Sequence, residues 1–220
     1  MIIIETQAVG PFFKNGFVVA CPRTREAVLI DPGDEVAGLL SFIGTEQLKV
    51  RHILLTHAHV DHVTGVPAAK EAVDAPVYLH RDDLFLYERA IEQGRMFGIR
   101  VTPLPPIDQF YSTGEVIAFG DLEARPHHTP GHCPGGVCLQ IGPSGGSGTD
   151  LFVGDTLFAG SIGRTDLPGG DFATLISSIR EVLFAFGDAA RVYPGHGPMT
   201  TIGAERRTNP FLIAQADDRQ

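Results

Sequence analysis

Four potential metal ligands lie within six residues of this chain. His57, His59, Asp61 and His62 form the pattern His-x-His-x-Asp-His, directly after the apolar segment 52–55. Imidazole nitrogens suit zinc or iron, and a carboxylate adds an oxygen ligand and negative charge. A surface histidine tract would not be expected to follow a buried strand or to contain an aspartate. The segment therefore predicts a metal site at the end of a strand.

Three later residues have the same chemical character and a similar position. His132, Asp155 and His196 each lie in a glycine-containing turn just after a predicted strand. Taken singly, each would be read as a turn or structural residue. Together they place ligands at successive strand ends of a layered α/β protein, where functional sites tend to form.

Composition limits the class of protein. The 220 residues are 43% hydrophobic and 20% charged, which is typical of a globular chain. We expect one domain over residues 1–220, since no linker suited to separating two domains is present. The net charge of −9 and the lack of a Lys/Arg run disfavour nucleic-acid binding. No apolar run approaches the ~18 residues that span a bilayer. Three cysteines without a CxxC pair fit a reducing compartment, so we expect a cytoplasmic protein.

Strand-like and helix-like segments alternate along the chain, which predicts a mixed α/β layered fold. Pro67 should lie in the first turn of a helix that continues to about residue 73. A second helix should run from Asp82 to about Gln93, followed by a proline-rich loop over residues 94–108. Asp171 should cap a later helix. The Gly/Ser-rich segment 142–148 should form a hairpin turn between two strands.

These motifs resemble the metallo-β-lactamase superfamily, with all seven motif positions matched between residues 57 and 196. The resemblance implies an α/β fold of the αβ/βα sandwich type with two divalent metal ions at its edge. It also implies that Asp155 bridges the two ions. The first ion would take His57, His59, His132 and Asp155, and the second would take Asp61, His62, Asp155 and His196.

Shorter motifs are similar to glyoxalase II, especially its short single-domain bacterial form. They are Gly-Asp-Thr-Leu-Phe at 154–158, Gly-Arg-Thr-Asp at 163–166 and Thr-Asn-Pro-Phe at 208–211. The resemblance implies hydrolysis of a small-molecule thioester, typically S-D-lactoylglutathione, to a hydroxy acid and glutathione. Arg164 falls where related enzymes carry a basic residue that contacts the glycine carboxylate of glutathione.

The chemistry expected of such a site is metal-assisted hydrolysis. A metal lowers the pKa of bound water from 15.7 to about 7, so a metal-bound hydroxide can attack the thioester carbonyl. Asp61 would serve as a catalytic residue that binds metal and orients this hydroxide. Zinc is the favoured metal, and His and Asp ligands also accept iron or manganese.

Other interpretations remain open on the sequence. A persulfide dioxygenase resembles this chain around residues 163–166 and would use one iron held by His57, His132 and Asp155. A lactonase or β-lactamase specificity and a non-catalytic binding module on the same fold are further alternatives. His127 and His128 are candidate hydrogen-bond partners that would support His132.

Overall fold

A computed structural model describes residues 2–34, 36–146 and 148–213. Its first half forms a six-stranded mixed sheet whose strands lie in sequence order. The first three strands are antiparallel, and the last three continue parallel to the third. The strands are β1 (Ile3–Val9), β2 (Lys14–Ala20), β3 (Glu26–Ile30), β4 (Lys49–Leu54), β5 (Val77–Leu79) and β6 (Gln109–Phe110).

The second half forms another six-stranded mixed sheet, in the order β14-β13-β10-β9-β8-β7. Strands β10 and β13 are parallel, and the other neighbours are antiparallel. Two short strands, β11 and β12, pair separately. The bounds are β7 (Ile117–Phe119), β8 (Leu122–His128), β9 (Val137–Pro143), β10 (Asp150–Gly154), β11 (Leu157–Phe158), β12 (Ser161–Ile162), β13 (Arg191–Pro194) and β14 (Thr200–Thr201).

The helices are short and connect these strands. A 3₁₀ turn at Arg81–Asp83 precedes the fourth helix, and a π-helical turn (Ser178–Val182) and a 3₁₀ turn (Leu183–Phe186) extend the sixth. None of the described helices has the length and apolar character needed to cross a membrane. The helices are α1 (Ala37–Thr45), α2 (Val60–Val63), α3 (Val66–Val73), α4 (Leu84–Glu88), α5 (Ala90–Phe97), α6 (Phe172–Ser177), α7 (Ile202–Thr208) and α8 (Pro210–Ile213).

Three apolar cores divide the molecule into four layers. Between the sheets, the Phe17 and Phe152 rings pack edge to face with their centroids 5.0 Å apart. Phe152 also stacks on Tyr193, with a centroid distance of 4.7 Å. A second core packs α1 and α3 on the outer face of the first sheet, and a third packs α6 on the outer face of the second. The expected αβ/βα sandwich in a single domain is therefore confirmed, since burying both faces of each sheet requires helices outside and a shared core inside.

Several local expectations hold and one does not. Pro67 lies in the first turn of α3, and the Asp171 carboxylate accepts a 2.7 Å bond from the Thr174 N–H. The expected helix from Asp82 is interrupted, and α5 extends to Phe97 instead of ending near Gln93. Gly98, with φ of +69°, ends α5 in the left-handed conformation that glycine adopts most easily. The expected hairpin at 142–148 includes Ser147, which lies outside the described residues.

Candidate metal centre

The seven predicted ligands converge at one edge of the sandwich. The chain leaves β4 at Leu54 and enters the segment 56–59, which carries His57 and His59. Helix α2 follows at once and carries Asp61 and His62 in a single turn. Asp155 follows β10, His196 follows β13, and His132 lies in the loop after β8. A 2.8 Å bond from the Val137 N–H to the Thr56 carbonyl joins the two sheets at this edge.

His57, His59 and His132 form the first cluster. All three side chains are buried, and one ring nitrogen of each lies within 4.8 Å of the others. His59 Nδ1 and His132 Nε2 are 2.7 Å apart, and Asp155 Oδ2 lies 3.6 Å from His132 Nε2. Two facing nitrogens at this distance need a proton or another cation between them. The cluster has the three-nitrogen donor set that zinc and iron accept.

Asp61, His62 and His196 form the second cluster. His196 Nε2 lies 3.2 Å from Asp61 Oδ2 and 3.5 Å from Asp155 Oδ2. His62 Nε2 lies 3.4 Å from the other carboxylate oxygen, Asp155 Oδ1. Asp155 is therefore the side chain that lies between the two clusters.

Unsatisfied polar atoms test whether these residues fit metal ions. Among the described residues, buried His57 Nε2, His59 Nε2, His62 Nε2 and Asp155 Oδ1 have no hydrogen-bond partner. Buried polar atoms are normally paired, because desolvating them without a partner costs roughly 1–3 kcal/mol each. These four atoms belong to the two clusters, so the donor set fits a pair of divalent ions.

Hydrogen bonds on the far side of the rings orient the histidines. His132 Nδ1 donates to the Arg164 carbonyl at 2.7 Å, and His196 Nδ1 donates to the Phe12 carbonyl at 3.0 Å. A carbonyl oxygen can only accept, so both rings carry hydrogen on Nδ1 and direct a lone pair at Nε2 into the site. This arrangement is typical of metal-ligating histidines.

Asp31 orients two more of the predicted ligands, one directly and one through Thr56. Its buried carboxylate accepts bonds from the Thr56 N–H (2.7 Å), the Thr56 hydroxyl (2.6 Å) and His62 Nδ1 (2.9 Å). Because the Thr56 hydroxyl donates to Asp31, it accepts from His57 Nδ1 at 3.1 Å. His57 and His62 are thus also held with Nε2 toward the centre.

Electrostatics keep most of the ligands in their metal-binding states. Burial and neighbouring imidazoles lower the pKa of His57 well below its usual value, and burial lowers the pKa of His59 to about 3. Burial opposes ionisation of Asp155, but the His62 charge holds the pKa of this carboxyl well below its usual range. Metal binding requires neutral imidazole and ionised carboxylate, and these three groups meet that requirement at neutral pH.

Two histidines are exceptions and predict proton release on metal binding. Burial opposes protonation of His196, but Asp61 and Asp155 raise its pKa above the usual value. His62 shows the larger shift. Burial opposes its protonation, but Asp61, Asp155 and Asp31 together raise its pKa to about 10. In metal-free protein, protonation of His62 contributes to the free energy of unfolding. This contribution is complete below pH 6.5, the usual pKa of histidine, and is lost as the pH rises through 10. A metal at Nε2 must displace this proton, so zinc affinity should rise about tenfold per pH unit between roughly pH 7 and pH 9.

Zinc titration of metal-free protein in weakly buffered solution, with a pH indicator, would measure the released protons. His127→Ala is the control, because His127 bonds to Gln140 outside both clusters. Zinc affinity that is independent of pH across this range would contradict the assignment of His62 as a protonated ligand.

Two glycines allow the loops to approach one another. A Cβ on Gly195 would lie 2.2 Å from Asp155 Oδ1 and 2.7 Å from His62 Cε1. A Cβ on Gly163 would lie 1.8 Å from the Asp155 carbonyl oxygen. Any other residue at either position would therefore displace Asp155 or its loop.

Sequence reasoning missed two buried charged residues that support the site. Asp83 accepts bonds from the N–H groups of Ala58 (3.0 Å) and Gly135 (2.6 Å), which ties the first ligand segment to the His132 loop. Lys14, only 1% exposed, donates from Nζ to the Asp31 carbonyl. Burial lowers the pKa of Lys14 to about 8, although nearby carboxylates oppose the shift. Its place in the otherwise uncharged strand β2 was the available signal.

The expected support of His132 by its neighbours takes a different form. His128 Nε2 bonds to the Pro134 carbonyl at 2.8 Å, and His127 Nε2 bonds to Gln140 Oε1 at 2.9 Å. The partner of His132 Nδ1 is the Arg164 carbonyl. The hydrogen-bond partner of His132 is therefore a backbone carbonyl on another loop and not His127 or His128. The sequence does not indicate such a backbone contact.

A cavity of about 240 Å³ opens onto both clusters. Phe12 and Phe97, in edge-to-face contact at 5.8 Å, line it together with Leu167. Arg164 also lines it, and its half-exposed guanidinium bonds to both oxygens of Asp166 at 2.7 Å. The centre is thus reached through a pocket with apolar aromatic walls and one cation.

An αβ/βα sandwich with clustered His and Asp side chains at one edge defines a metalloprotein of the metallo-hydrolase class. Residues 9–196 match the model of the metallo-β-lactamase superfamily, and the chain belongs to this superfamily. The expected superfamily is therefore confirmed.

The names of individual relatives indicate different activities. The chain is 39% identical to "Hydroxyacylglutathione hydrolase GloC" of Haemophilus influenzae, over 97% of this chain and 99% of that protein. Among solved structures, it resembles the B3 metallo-β-lactamase BLEG-1 (TM-score 0.86, 37% identity, 96% and 99% of the two chains). It also resembles TTHA1623 in a di-iron-bound form (TM-score 0.84, 43% identity, 94% and 100%). ETHE1 from Myxococcus xanthus is more distant (TM-score 0.75, 25% identity, 99% and 92%).

Proposed function

We propose that this protein hydrolyses a small-molecule thioester, such as S-D-lactoylglutathione, to a hydroxy acid and free glutathione. The observation that carries the proposal is Asp155, whose two oxygens face His62 on one side and His132 and His196 on the other. Such a carboxylate suits two divalent ions, for which we propose zinc. The 39% identity to a hydroxyacylglutathione hydrolase supports the thioester substrate.

Two bound ions would supply an ionised water at neutral pH and stabilise negative charge on the carbonyl oxygen in the transition state. The chain's own residues position these components. Asp61 extends from the first turn of α2 toward the cavity, where its carboxylate can hold an ion and orient the nucleophile by accepting its hydrogen bond. Phe12, Phe97 and Leu167 would exclude water from the acyl group and the sulfur.

Arg164 is the proposed contact for a glutathione carboxylate. It lines the same cavity as Phe12 and Phe97, and only the exposed Asp166 pairs with its guanidinium among the described contacts. The chain is acidic overall, with a net charge of −9, so a cation at the cavity mouth matters for attracting an anionic substrate. We propose a cytoplasmic location, where glutathione thioesters would be available.

Arg164→Ala should raise KM for a glutathione thioester more than it lowers kcat, because it removes binding shared by ground state and transition state. A charge-assisted hydrogen bond contributes roughly 1.5–3 kcal/mol, so kcat/KM should fall on the order of ten- to a hundredfold. The measurement is steady-state kinetics with S-D-lactoylglutathione. Arg23→Ala is the matched control, because Arg23 also pairs with an exposed aspartate but lies away from the cavity. Unchanged kinetics in Arg164→Ala would remove this residue from the substrate contacts.

Elemental analysis of purified protein, paired with a thioester assay, tests the proposed function itself. We expect close to two metal ions per chain and cleavage of S-D-lactoylglutathione that chelators abolish and added metal restores. Nitrocefin, a β-lactam, should be a poor substrate by comparison. Rapid nitrocefin hydrolysis without thioester cleavage would contradict the proposal and indicate a β-lactamase, as the name of BLEG-1 states for that protein.

A persulfide dioxygenase is the second candidate. The likeness to ETHE1 favours keeping it. The TTHA1623 structure, which is 43% identical, is in a di-iron-bound form and so supports iron as a possible metal, but as a pair of ions. His57, His132 and Asp155 could hold a single iron in this case. The presence of a complete second cluster favours hydrolysis.

A further inference from the structure

The loop that carries His196 has little rigidity of its own. Glycine occupies both neighbouring positions, and Gly197 adopts the left-handed conformation with a φ of +77°. Glycine can adopt more backbone conformations than any other residue, so a ligand between two glycines depends on other contacts for its position. Gly195 has no room for a side chain, because its Cβ would lie 2.2 Å from Asp155 Oδ1. Contacts from outside the loop therefore have to fix His196.

Asn15, the second residue of β2, supplies such contacts. It is only 6% exposed, and its side-chain Nδ2 donates to the carbonyls of Pro194 at 3.0 Å and Gly197 at 2.8 Å. An amide nitrogen has two hydrogens and a carbonyl can only accept, so both hydrogens of Nδ2 are used. The backbone N–H of Asn15 donates to the Gly195 carbonyl at 2.7 Å. One residue thus binds three of the four carbonyls in the segment 194–197.

The preceding residue connects Asn15 to the other histidine of the second cluster. Consecutive residues of a strand point to opposite faces of the sheet, so Lys14 and Asn15 can contact different loops. The buried Lys14 ammonium donates to the backbone carbonyl of Asp31, and the Asp31 carboxylate accepts a 2.9 Å bond from His62 Nδ1. The start of β2 is therefore tied both to the loop of His196 and to the residue that orients His62.

The spacing of the second cluster shows what a shift of this loop would disturb. His196 Nε2 lies 3.2 Å from Asp61 Oδ2 and 3.5 Å from Asp155 Oδ2. Zinc holds nitrogen and oxygen ligands at about 2.0–2.2 Å, so ligand atoms in a tetrahedral shell lie roughly 3.3–3.6 Å apart. His196 is thus close to the position that ligation requires, and the contacts of Asn15 maintain this position.

We propose that Asn15 is a positioning residue for the second metal ion. The proposal rests on the pair of ions in the proposed function, and it gives Asn15 no direct contact with ion or substrate. Because Asn15 orders the His196 loop before an ion binds, less conformational entropy is lost on binding. Groups that orient ligands in this way contribute about ten- to a hundredfold to metal affinity. The three histidines of the first cluster lie on other segments, so the first ion should depend much less on Asn15.

Zinc binding by the full chain at buffered free zinc concentrations tests this role. At the lowest free zinc concentration that gives wild type two ions per chain, Asn15→Ala should hold about one. It should reach two ions when free zinc is raised about ten- to a hundredfold, because all the ligands are still present. His196→Ala, which lacks a ligand, should hold about one ion at both concentrations. Elemental analysis after equilibrium dialysis provides the counts.

Asn209→Ala is the matched structural control. Asn209 is also buried, and its Nδ2 also donates to two oxygens, the Ser161 carbonyl and Glu205 Oε2, both at 2.9 Å. Its replacement should lower the melting temperature and leave zinc binding as in wild type. A role of Asn15 in fold stability alone would make the two alanine variants bind zinc equally.

Asn15→Asp decides the question if Asn15→Ala does not fold, since it keeps the size of the side chain. It places an oxygen where Nδ2 donates, so the loop loses these bonds, whereas the added negative charge alone would strengthen zinc binding. We expect the second ion to bind more weakly than in wild type. Two ions in the deciding variant at the lower zinc concentration, or loss of both ions, would overturn this proposal alone. A wild type that never binds a second ion would contradict the proposed function as well.

Discussion

Asp155→Ala should lose metal from both clusters and nearly all hydrolytic activity. Asp155 lies within 3.4–3.6 Å of His62, His132 and His196, so its removal takes a ligand from each proposed ion at once. It also leaves protonated His62 with less compensating charge in a buried site. Metals contribute several kcal/mol of transition-state stabilisation, so kcat/KM should fall on the order of a thousandfold or more.

Two further variants serve as comparisons for Asp155→Ala, one with an expected partial loss of metal and one with no expected loss. His196→Ala should empty mainly the second cluster, because His196 contacts Asp61 and Asp155 and is not part of the three-histidine cluster. Asp121→Ala removes an exposed carboxylate that pairs with Arg23 and should keep both ions and full activity. Metal content and thioester hydrolysis are measured on all three. If Asp155→Ala retained two ions and full turnover, the proposed arrangement of ligands would be wrong.

Zinc-loaded and iron-loaded protein should both cleave a glutathione thioester, and neither should consume oxygen with glutathione persulfide. Hydrolysis needs an activated water beside a polarised carbonyl, which either metal can provide. Persulfide oxidation needs a redox-active iron with open positions for oxygen and sulfur. Asp61, His62 and His196 would be superfluous to an enzyme with one iron, and their close grouping favours the hydrolase.

The experiment measures thioester cleavage and oxygen uptake on the same two preparations. Asp61→Asn separates the outcomes further, because it alters a ligand of the second cluster and leaves His57, His132 and Asp155 intact. A hydrolase should lose most of its thioester activity in Asp61→Asn. Rapid oxygen uptake confined to the iron form, and retained in Asp61→Asn, would assign the protein to the dioxygenase class.

The sequence was most informative where chemistry is encoded by local order. The segment 57–62 and the isolated residues His132, Asp155 and His196 could be identified because each follows a strand and carries a ligand type. Strand ends in layered α/β folds meet at common edges, so placement along the chain implied proximity in space. The alternation of apolar segments also predicted the layers, and Asp171 marked a helix start through its capping chemistry.

Tertiary structure alone decided how the ligands are held. Asp31 precedes Pro-Gly and by residue type indicates only a turn, although the superfamily resemblance suggests that it helps to order the site; its bonds to Thr56 and His62 are visible only in the structure. Lys14 and Asp83 are charged residues, a type that is usually exposed, yet both are buried against the site. Likewise, His80 and His128 are 48 positions apart and come into contact only because β5 and β8 belong to facing sheets. Local sequence determines residue types, turns and strand ends through short-range backbone and burial preferences, whereas hydrogen bonds between distant loops depend on how the two sheets pack.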